Sequence, residues 1–165
     1  MNIRLGNNKG KAWNVVNESY IKGFAFIDNQ RLSINNIYEK MIDAIDKGEL
    51  DKLLLKMNGN FSVILRYDNS TYLIADKLKT MPLLYTKIKK EWLITDQANI
   101  ILAAEDDFSF NEEAIMIYLS LGYLYGNQTL LNNCNIVTAG TYVELDGKAK
   151  IVEYHKHIYK KKVTA

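Results

Sequence analysis

Hydrophobic and polar positions alternate with a period of two through much of this chain, which is the pattern of half-buried β-strands. Phe61, Val63 and Leu65, for example, fall on one face of such a strand. Turns rich in Gly, Asn, Asp and Lys separate the runs, and Asp146-Gly147 is a two-residue hairpin signal. The strands predicted in this way are Asn2–Leu5, Ala12–Val16, Tyr20–Ile27, Phe61–Arg66, Tyr72–Ala75, Leu83–Lys87, Glu91–Thr95, Asn135–Val137, Thr141–Leu145 and Ala149–Tyr154.

A second spacing, of three to four residues between apolar positions, predicts helices. The predicted helices are residues 34–45, Glu49–Lys56, Gln97–Ala104 and Glu112–Leu121. Ser33 or Asn35 can cap the first of them, and Asn111 can cap the last. Gly48 and Gly122 stand where glycine commonly ends a helix. Pairs of strands with a few helices in mid-chain predict an α+β fold built in layers.

The composition is that of a globular chain, since 48% of the 165 residues are hydrophobic and 24% are charged. We expect one domain over residues 1–158 and a basic C-terminal tail over residues 159–165. No apolar run approaches the ~18 residues of a membrane span, and the N-terminus lacks the apolar core of a signal peptide. The single cysteine, Cys134, excludes an internal disulfide. These features predict a cytoplasmic protein without a membrane partner.

The balance of basic residues argues against nucleic acid as a partner. The net charge is only +2, and the 21 basic residues are almost all lysines. Arginine reads phosphates and bases better than lysine does, so this bias disfavours specific recognition of DNA or RNA. The one basic cluster, Lys160–Lys162, is interpreted as part of a solvated tail.

Several groups of side chains could carry chemistry, and a structural role is favoured for each. His155 and His157 would face one side of a strand as a metal pair could, but zinc needs at least a third ligand. Asp106-Asp107 is predicted to lie in a loop, and Glu112-Glu113 in the first turn of a helix, where negative charge favours the helix dipole. The sequence therefore predicts no metal or acid–base site from these groups.

Two further features concern packing. Tyr118, Tyr123 and Tyr125 surround a helix end and could form an aromatic contact surface, although ordinary packing beneath a loop is favoured. Cys134 is expected to be a small buried hydrophobic residue.

The middle and the end of the chain resemble the glutamine-hydrolysing domain of asparagine synthetase-type, class II glutamine amidotransferases. Gly59–Asp68 resembles the family pattern G-x-F-A-F-x-x-Y/W-D, and Ala75–Tyr85 resembles R-D-x-x-G-x-x-P-L-Y-Y. Trp92–Leu102 is similar to a family segment in which a strand is followed by Ser-Glu and then by Ala-Leu. Leu119–Tyr123 resembles the family's helix end, Y-L-x-x-G-Y. Thr129–Thr141 is similar to T-L/I-F-x-x-I-x-x-L-x-P-G. The order and spacing of these five segments carry the resemblance, which covers about two thirds of the chain.

This resemblance implies the N-terminal-nucleophile hydrolase fold, a four-layer α/β-β/α sandwich with two facing, mainly antiparallel sheets. The chain also departs from the family at several positions. Ala75 stands where the family has Arg, Lys79 where it has Gly, and Ala139 where it has the Pro of Pro-Gly. These substitutions suggest a divergent relative that is not a working glutaminase.

The largest departure is at the N-terminus. The family nucleophile is a cysteine at residue one of the mature chain, whose free α-amino group serves as the nearby base. This chain begins Met1-Asn2, and because Asn2 is not small, Met1 is expected to be retained. Cys134 lies far along the chain and has no α-amino group. We therefore expect no glutaminase activity and assign no catalytic, cofactor-binding or metal-binding residue.

The resemblance does not identify the residues that would bind the substrate. The family holds the oxyanion with an Asn-Gly pair at a strand end, and the strand before the first helix offers Lys22-Gly23 at that place. A rival alignment instead matches Arg31–Ile34 with a family segment R-L-S-I that lies earlier in the pattern.

These observations lead to two hypotheses about function. The first is a non-catalytic, glutaminase-like domain that acts as a structural or substrate-guiding scaffold for an asparagine synthetase-like, ATP-dependent amide-forming ligase. Relatives of this kind include the N-terminal domains of beta-lactam synthetase and of peptide-cyclising proteins. ATP and Mg²⁺ are expected only in the ligase domain or protein, which is the predicted partner. The alternative is a stand-alone module that binds an amino acid, a peptide or a protein in the vacated glutamine cleft.

Overall fold

The computed structural model describes residues 1–6, 12–104 and 109–156, and in this part of the chain it has eleven strands and four helices. The strands are β1 (Asn2–Ile3), β2 (Asn14–Val16), β3 (Ser19–Ile27), β4 (Gln30–Arg31), β5 (Asn58–Tyr67), β6 (Ser70–Ala75), β7 (Leu84–Ile88), β8 (Glu91–Thr95), β9 (Cys134–Ile136), β10 (Thr141–Asp146) and β11 (Lys148–Glu153). The helices are α1 (Ile34–Asp46), α2 (Leu50–Lys56), α3 (Ala98–Leu102) and α4 (Glu112–Leu121).

The strands form two sheets. A four-stranded sheet has the order β1-β8-β7-β9, and a seven-stranded sheet has the order β11-β10-β6-β5-β3-β2, with β4 also paired to β3. Within the described residues β1 and β8 run parallel, and the other paired strands run antiparallel. The predicted α+β class with two mainly antiparallel sheets is therefore confirmed.

Three hydrophobic clusters show how the elements are stacked. The largest packs α1 and α2 against one face of the seven-stranded sheet, where Phe61, Val63 and Leu65 of β5 are buried. A second cluster joins the other face of this sheet to the four-stranded sheet, for example through Ile64 of β5 and Tyr85 of β7. A third lies on the far side of the four-stranded sheet and includes residues of α3. This order of contacts is compatible with a sandwich of two sheets between helices.

The helix caps follow the sequence closely. The Ser33 hydroxyl accepts a hydrogen bond of 3.1 Å from the Asn36 N–H, so Ser33, and not Asn35, is the N-cap of α1. The Asn111 side chain caps α4 through the Ala114 N–H at 3.0 Å. Gly122 ends that helix in the left-handed conformation, with φ at 77°.

Some strand boundaries were predicted wrongly. The sequence prediction missed β4, which is only two residues long and exists because Asp28 and Asn29, with φ at 49° and 63°, turn the chain back onto β3. At the predicted two-residue hairpin, Asp146 pairs with Lys148, so Gly147 alone forms the tip. A period-two pattern cannot locate such boundaries, because the turn geometry sets them.

Gly23 is required by the backbone where β3 pairs with β5. Its φ is +98°, and a Cβ atom there would lie 2.0 Å from the Asn60 carbonyl oxygen. We expect Gly23→Ala to lower the free energy of unfolding by about 2–4 kcal/mol, from left-handed strain and steric overlap together. Gly147→Ala is the matched control, since its φ is +61° with nothing within 4 Å, and should cost only about 1 kcal/mol. Equal losses in urea denaturation would show that the backbone around Gly23 is packed less tightly against Asn60 than the contact implies.

Within the described residues, no helix is both long enough and apolar enough to cross a membrane.

Candidate functional site

The space between the two sheets contains a buried lysine on β3. Tyr20 packs into the cluster between the sheets, and Lys22, two residues further along, faces the same side of the strand. Lys22 lies opposite Ser62 of β5 and is only 6% exposed. A buried ammonium is costly unless it is paired, so its partner determines what this site can do.

That partner is Asp96, which directly follows β8 in the four-stranded sheet. The Lys22 Nζ atom lies 3.0 Å from the Asp96 Oδ2 atom, and the two side chains are 8% and 4% exposed. The Trp13 indole N–H donates to the same oxygen at 3.0 Å, and the Gly6 N–H donates to Oδ1 at 2.7 Å. The ammonium also lies 5.3 Å from the centre of the Trp13 ring. The pair thus connects β3 of one sheet to the end of β8 in the other.

The Asp96 carboxylate is held in its charged form. Burial acts to raise the pKa of Asp96, but hydrogen bonds from Gly6, Trp13 and Lys22, together with the lysine charge, outweigh it and lower the pKa. A carboxylate with a lowered pKa and three bound donors is a poor general base at neutral pH. The arrangement is suited to holding the sheets together.

The N-terminal amine lies at the other end of β8. Met1 N is 3.7 Å from the Glu91 carboxylate, and Asn2 pairs with Leu93 in the parallel β1–β8 ladder. Asp96 follows the opposite end of β8, five residues from Glu91. A strand rises about 3.3 Å per residue, so Glu91 and Asp96 are separated by roughly 16 Å. The α-amino group is therefore remote from the Lys22–Asp96 pair.

The Lys22–Asp96 pair is the most deeply buried ion pair in the described part of the chain. No protein-family model matches this chain, and no curated protein matches it. The pair is consequently interpreted from its own contacts.

Asp76, the acidic residue of the Ala75-Asp76 segment, has a structural position. It is 1% exposed and accepts hydrogen bonds from the N–H groups of Phe61, Leu78 and Thr80 at 2.7–3.3 Å, and from the Thr80 hydroxyl. The Tyr154 hydroxyl donates to the neighbouring Ala75 carbonyl at 2.6 Å. Asp76 thus fixes the loop between β6 and β7 to the start of β5.

The sequence candidates for other chemistry are dispersed. Cys134 is buried, as expected for a small packing residue, and burial raises the pKa of its thiol. Glu112 and Glu113 occupy the first turn of α4, as expected. His155 is half-buried just beyond β11 rather than within a strand. His157, Asp106-Asp107 and Lys160–Lys162 lie outside the described residues. Residues 1–6, 12–104 and 109–156 contain no group of three or more metal-ligating side chains.

The expectation for the three tyrosines is wrong. Tyr118, Tyr123 and Tyr125 are not packed beneath a loop but are 47%, 53% and 55% exposed. The Tyr123 and Tyr125 rings contact each other edge to face at 5.1 Å, and their hydroxyls are 3.1 Å apart. The end of α4 is therefore surrounded by exposed tyrosines, as the less favoured interpretation requires.

The buried pair itself was only partly visible in the sequence. Lys22 is the one charged residue of the β3 strand, and an isolated lysine among apolar strand residues is a usable signal for a buried ion pair. Asp96 and Trp13 gave no such signal. Asp96 lies 74 positions from Lys22 and 83 positions from Trp13 along the chain. Only the fold brings them together.

Proposed function

We propose that this chain is a non-catalytic, glutaminase-like domain that supports an ATP-dependent, amide-forming ligase of the asparagine synthetase type. One observation carries the proposal. In one of the two possible placements of the family's oxyanion-binding Asn-Gly pair, Lys22 stands at the Asn position, and its ammonium is bound to the buried Asp96 carboxylate. An oxyanion site needs donors that are free to meet the developing charge, whereas the Lys22 ammonium is already paired with a carboxylate.

The architecture supports the finer assignment to the N-terminal-nucleophile hydrolase type. Two mainly antiparallel sheets share a core, and helices pack on the outer faces of both. In a working member, residue one would have to lie beside the oxyanion donors. Here its amine lies near Glu91, at the far end of β8 from Lys22. Both features fit a scaffold that has lost its hydrolytic chemistry.

The same contacts disfavour the alternative of an open ligand cleft at this place. A ligand there would have to separate Lys22 from Asp96, and each of these side chains is less than a tenth exposed. Leaving one buried charge without its partner is costly. In the proposed system ATP and Mg²⁺ belong to the ligase, and this chain contributes support and shapes the ligase's substrate entrance.

The first test of the proposal is glutamine hydrolysis. We expect no release of ammonia from glutamine by the native chain, or by an Asn2→Cys variant in which loss of Met1 places a cysteine at the N-terminus. The reason is that residue 2 pairs with Leu93 in the middle of β8, three residues and therefore roughly 10 Å from Asp96, the partner of Lys22. Glutamine-dependent ammonia from either protein, measured with a coupled dehydrogenase assay, would overturn the non-catalytic assignment.

The ligase has a separate test. The gene should encode, in the same polypeptide or an adjacent reading frame, an ATP-pyrophosphatase domain with a Ser-Gly-Gly-x-Asp-Ser loop. Adding that domain should raise the melting temperature of this chain, because a partner that binds only the folded state stabilises the folded state. Absence of such a reading frame, or a domain that does not bind, would contradict the scaffold role and leave the hydrolysis result unaffected.

A further inference from the structure

Helix α4 is apolar on nearly every side and is barely packed against the rest of the chain. All ten of its residues are described, and of these only Ala114 is buried. A ten-residue helix is marginal on its own in water, and most helical stability comes from packing an apolar face. A helix that is hydrophobic all round is normally covered, so α4 needs a partner.

The exposed side chains around this helix form one surface. We define the α4 surface by seven large residues, each between 47% and 75% exposed: Phe110, Met116, Tyr118, Leu119, Leu121, Tyr123 and Tyr125. Leu119 is the most exposed of them at 75% and lies in the last turns of α4. Contiguous exposed apolar patches of this kind mark interaction sites.

We propose that the α4 surface is the interface of a symmetric homodimer, in which it packs against the same surface of a second copy of this chain. Charge is the first reason. From Ala114 to Tyr125 the sequence contains no Asp, Glu, Lys, Arg or His. Two copies can therefore meet face to face without placing like charges against each other, which a two-fold contact otherwise does.

Hydrogen bonding gives the second reason. The polar side-chain groups on this stretch are hydroxyls, those of Tyr118, Ser120, Tyr123 and Tyr125. A hydroxyl both donates and accepts, so a surface whose polar groups are all hydroxyls can pair with an identical copy of itself. A surface that carried only donors or only acceptors would require a different partner.

Area gives the third reason. Seven large side chains that are half to three-quarters exposed present about 700 Å² in total, taking roughly 150–200 Å² for each fully exposed side chain. A standard specific interface buries about 800 Å² per partner. The α4 surface is thus about the size that a stable dimer needs, and its two most exposed aliphatic side chains, Leu119 and Met116, lie three positions apart on the same side of the helix.

The test is the mass of the chain in solution. Sedimentation equilibrium from micromolar to submillimolar concentration should give twice the 19.0 kDa mass of one chain. Leu119→Lys should raise the dimer dissociation constant by about tenfold or more, because it removes an anchor and introduces facing charges. Leu78→Lys is the matched control, since Leu78 is 65% exposed in the loop after β6, and should leave the dissociation constant unchanged.

Hydrogen exchange keeps the proposal testable if a variant fails to fold. In the native chain, amides of residues 112–125 should exchange more slowly as protein concentration rises. A chain that stays monomeric throughout the concentration range would overturn the proposal and assign the α4 surface to a different protein. A dimer that Leu119→Lys leaves intact, or that Leu78→Lys weakens equally, would overturn it as well.

Discussion

Asp96→Asn should lower the free energy of unfolding by about 3–5 kcal/mol, the range found when one partner of a buried ion pair is removed. The substitution keeps the shape of the side chain and leaves an oxygen that can accept from the Gly6 N–H. It removes the counter-charge of Lys22, whose ammonium is only 3.0 Å away and almost fully buried. Urea denaturation followed by far-ultraviolet circular dichroism measures the loss.

The control for this prediction is a second substitution that removes the stranded charge. Lys22→Met in the Asp96→Asn background should recover about 1–3 kcal/mol, since neutral replacement of a buried pair is often tolerated. If the double variant were no more stable than Asp96→Asn alone, the loss would come from the hydrogen bonds of Trp13 and Gly6, and charge pairing would not be the cause.

The same pair predicts a dependence of stability on pH. Because the folded-state pKa of Asp96 is lowered, its contribution is fully present above the unfolded value of about 3.9 and is lost as pH falls through the folded value. The stability difference between the native chain and Asp96→Asn should therefore be constant near neutral pH and shrink below about pH 4. A difference that grows on acidification would contradict the direction of the pKa shift.

Much of the fold could be predicted from local pattern. The strand period correctly predicts that one face of β5 is buried, and this face packs against α1 and α2. The helical period likewise predicts the apolar side of α1. Both predictions succeed because side-chain direction follows from backbone geometry alone. Ser33 and Asn111 also cap the expected helices, since capping depends on residues only three positions apart.

The candidate site and the α4 surface were harder to predict, for two physical reasons. The contacts of Asp96 with Trp13 and Lys22 join residues that only the stacking of the two sheets brings together. The packing of the tyrosines at the end of α4 was misjudged because an apolar segment looks the same in sequence whether or not its own chain covers it. Only the structure shows that Tyr118 and Leu119 are exposed.

The second large effect is expected at Asp76. Asp76→Ala should lower the free energy of unfolding by about 3–5 kcal/mol, because several N–H groups lose their acceptor and each buried unsatisfied donor costs about 1–3 kcal/mol. The Phe61 N–H is the most deeply placed of these donors, with its hydrogen bond of 3.1 Å fully buried. Loss of the carboxylate also frees the loop that the Leu78 and Thr80 N–H groups hold in place.

A matched substitution separates this effect from the general cost of replacing Asp by Ala. Asp43 lies on the exposed side of α1, where its carboxylate contacts Lys47 at 2.7 Å with both side chains more than half exposed. Asp43→Ala should leave the melting temperature nearly unchanged, since solvent-exposed ion pairs contribute little. Hydrogen exchange at the Phe61 amide adds a local measure, because protection there should fall in Asp76→Ala and stay intact in Asp43→Ala. If Asp76→Ala were as mild as Asp43→Ala, water would be replacing the carboxylate, and the loop between β6 and β7 would not depend on Asp76 for its attachment to β5.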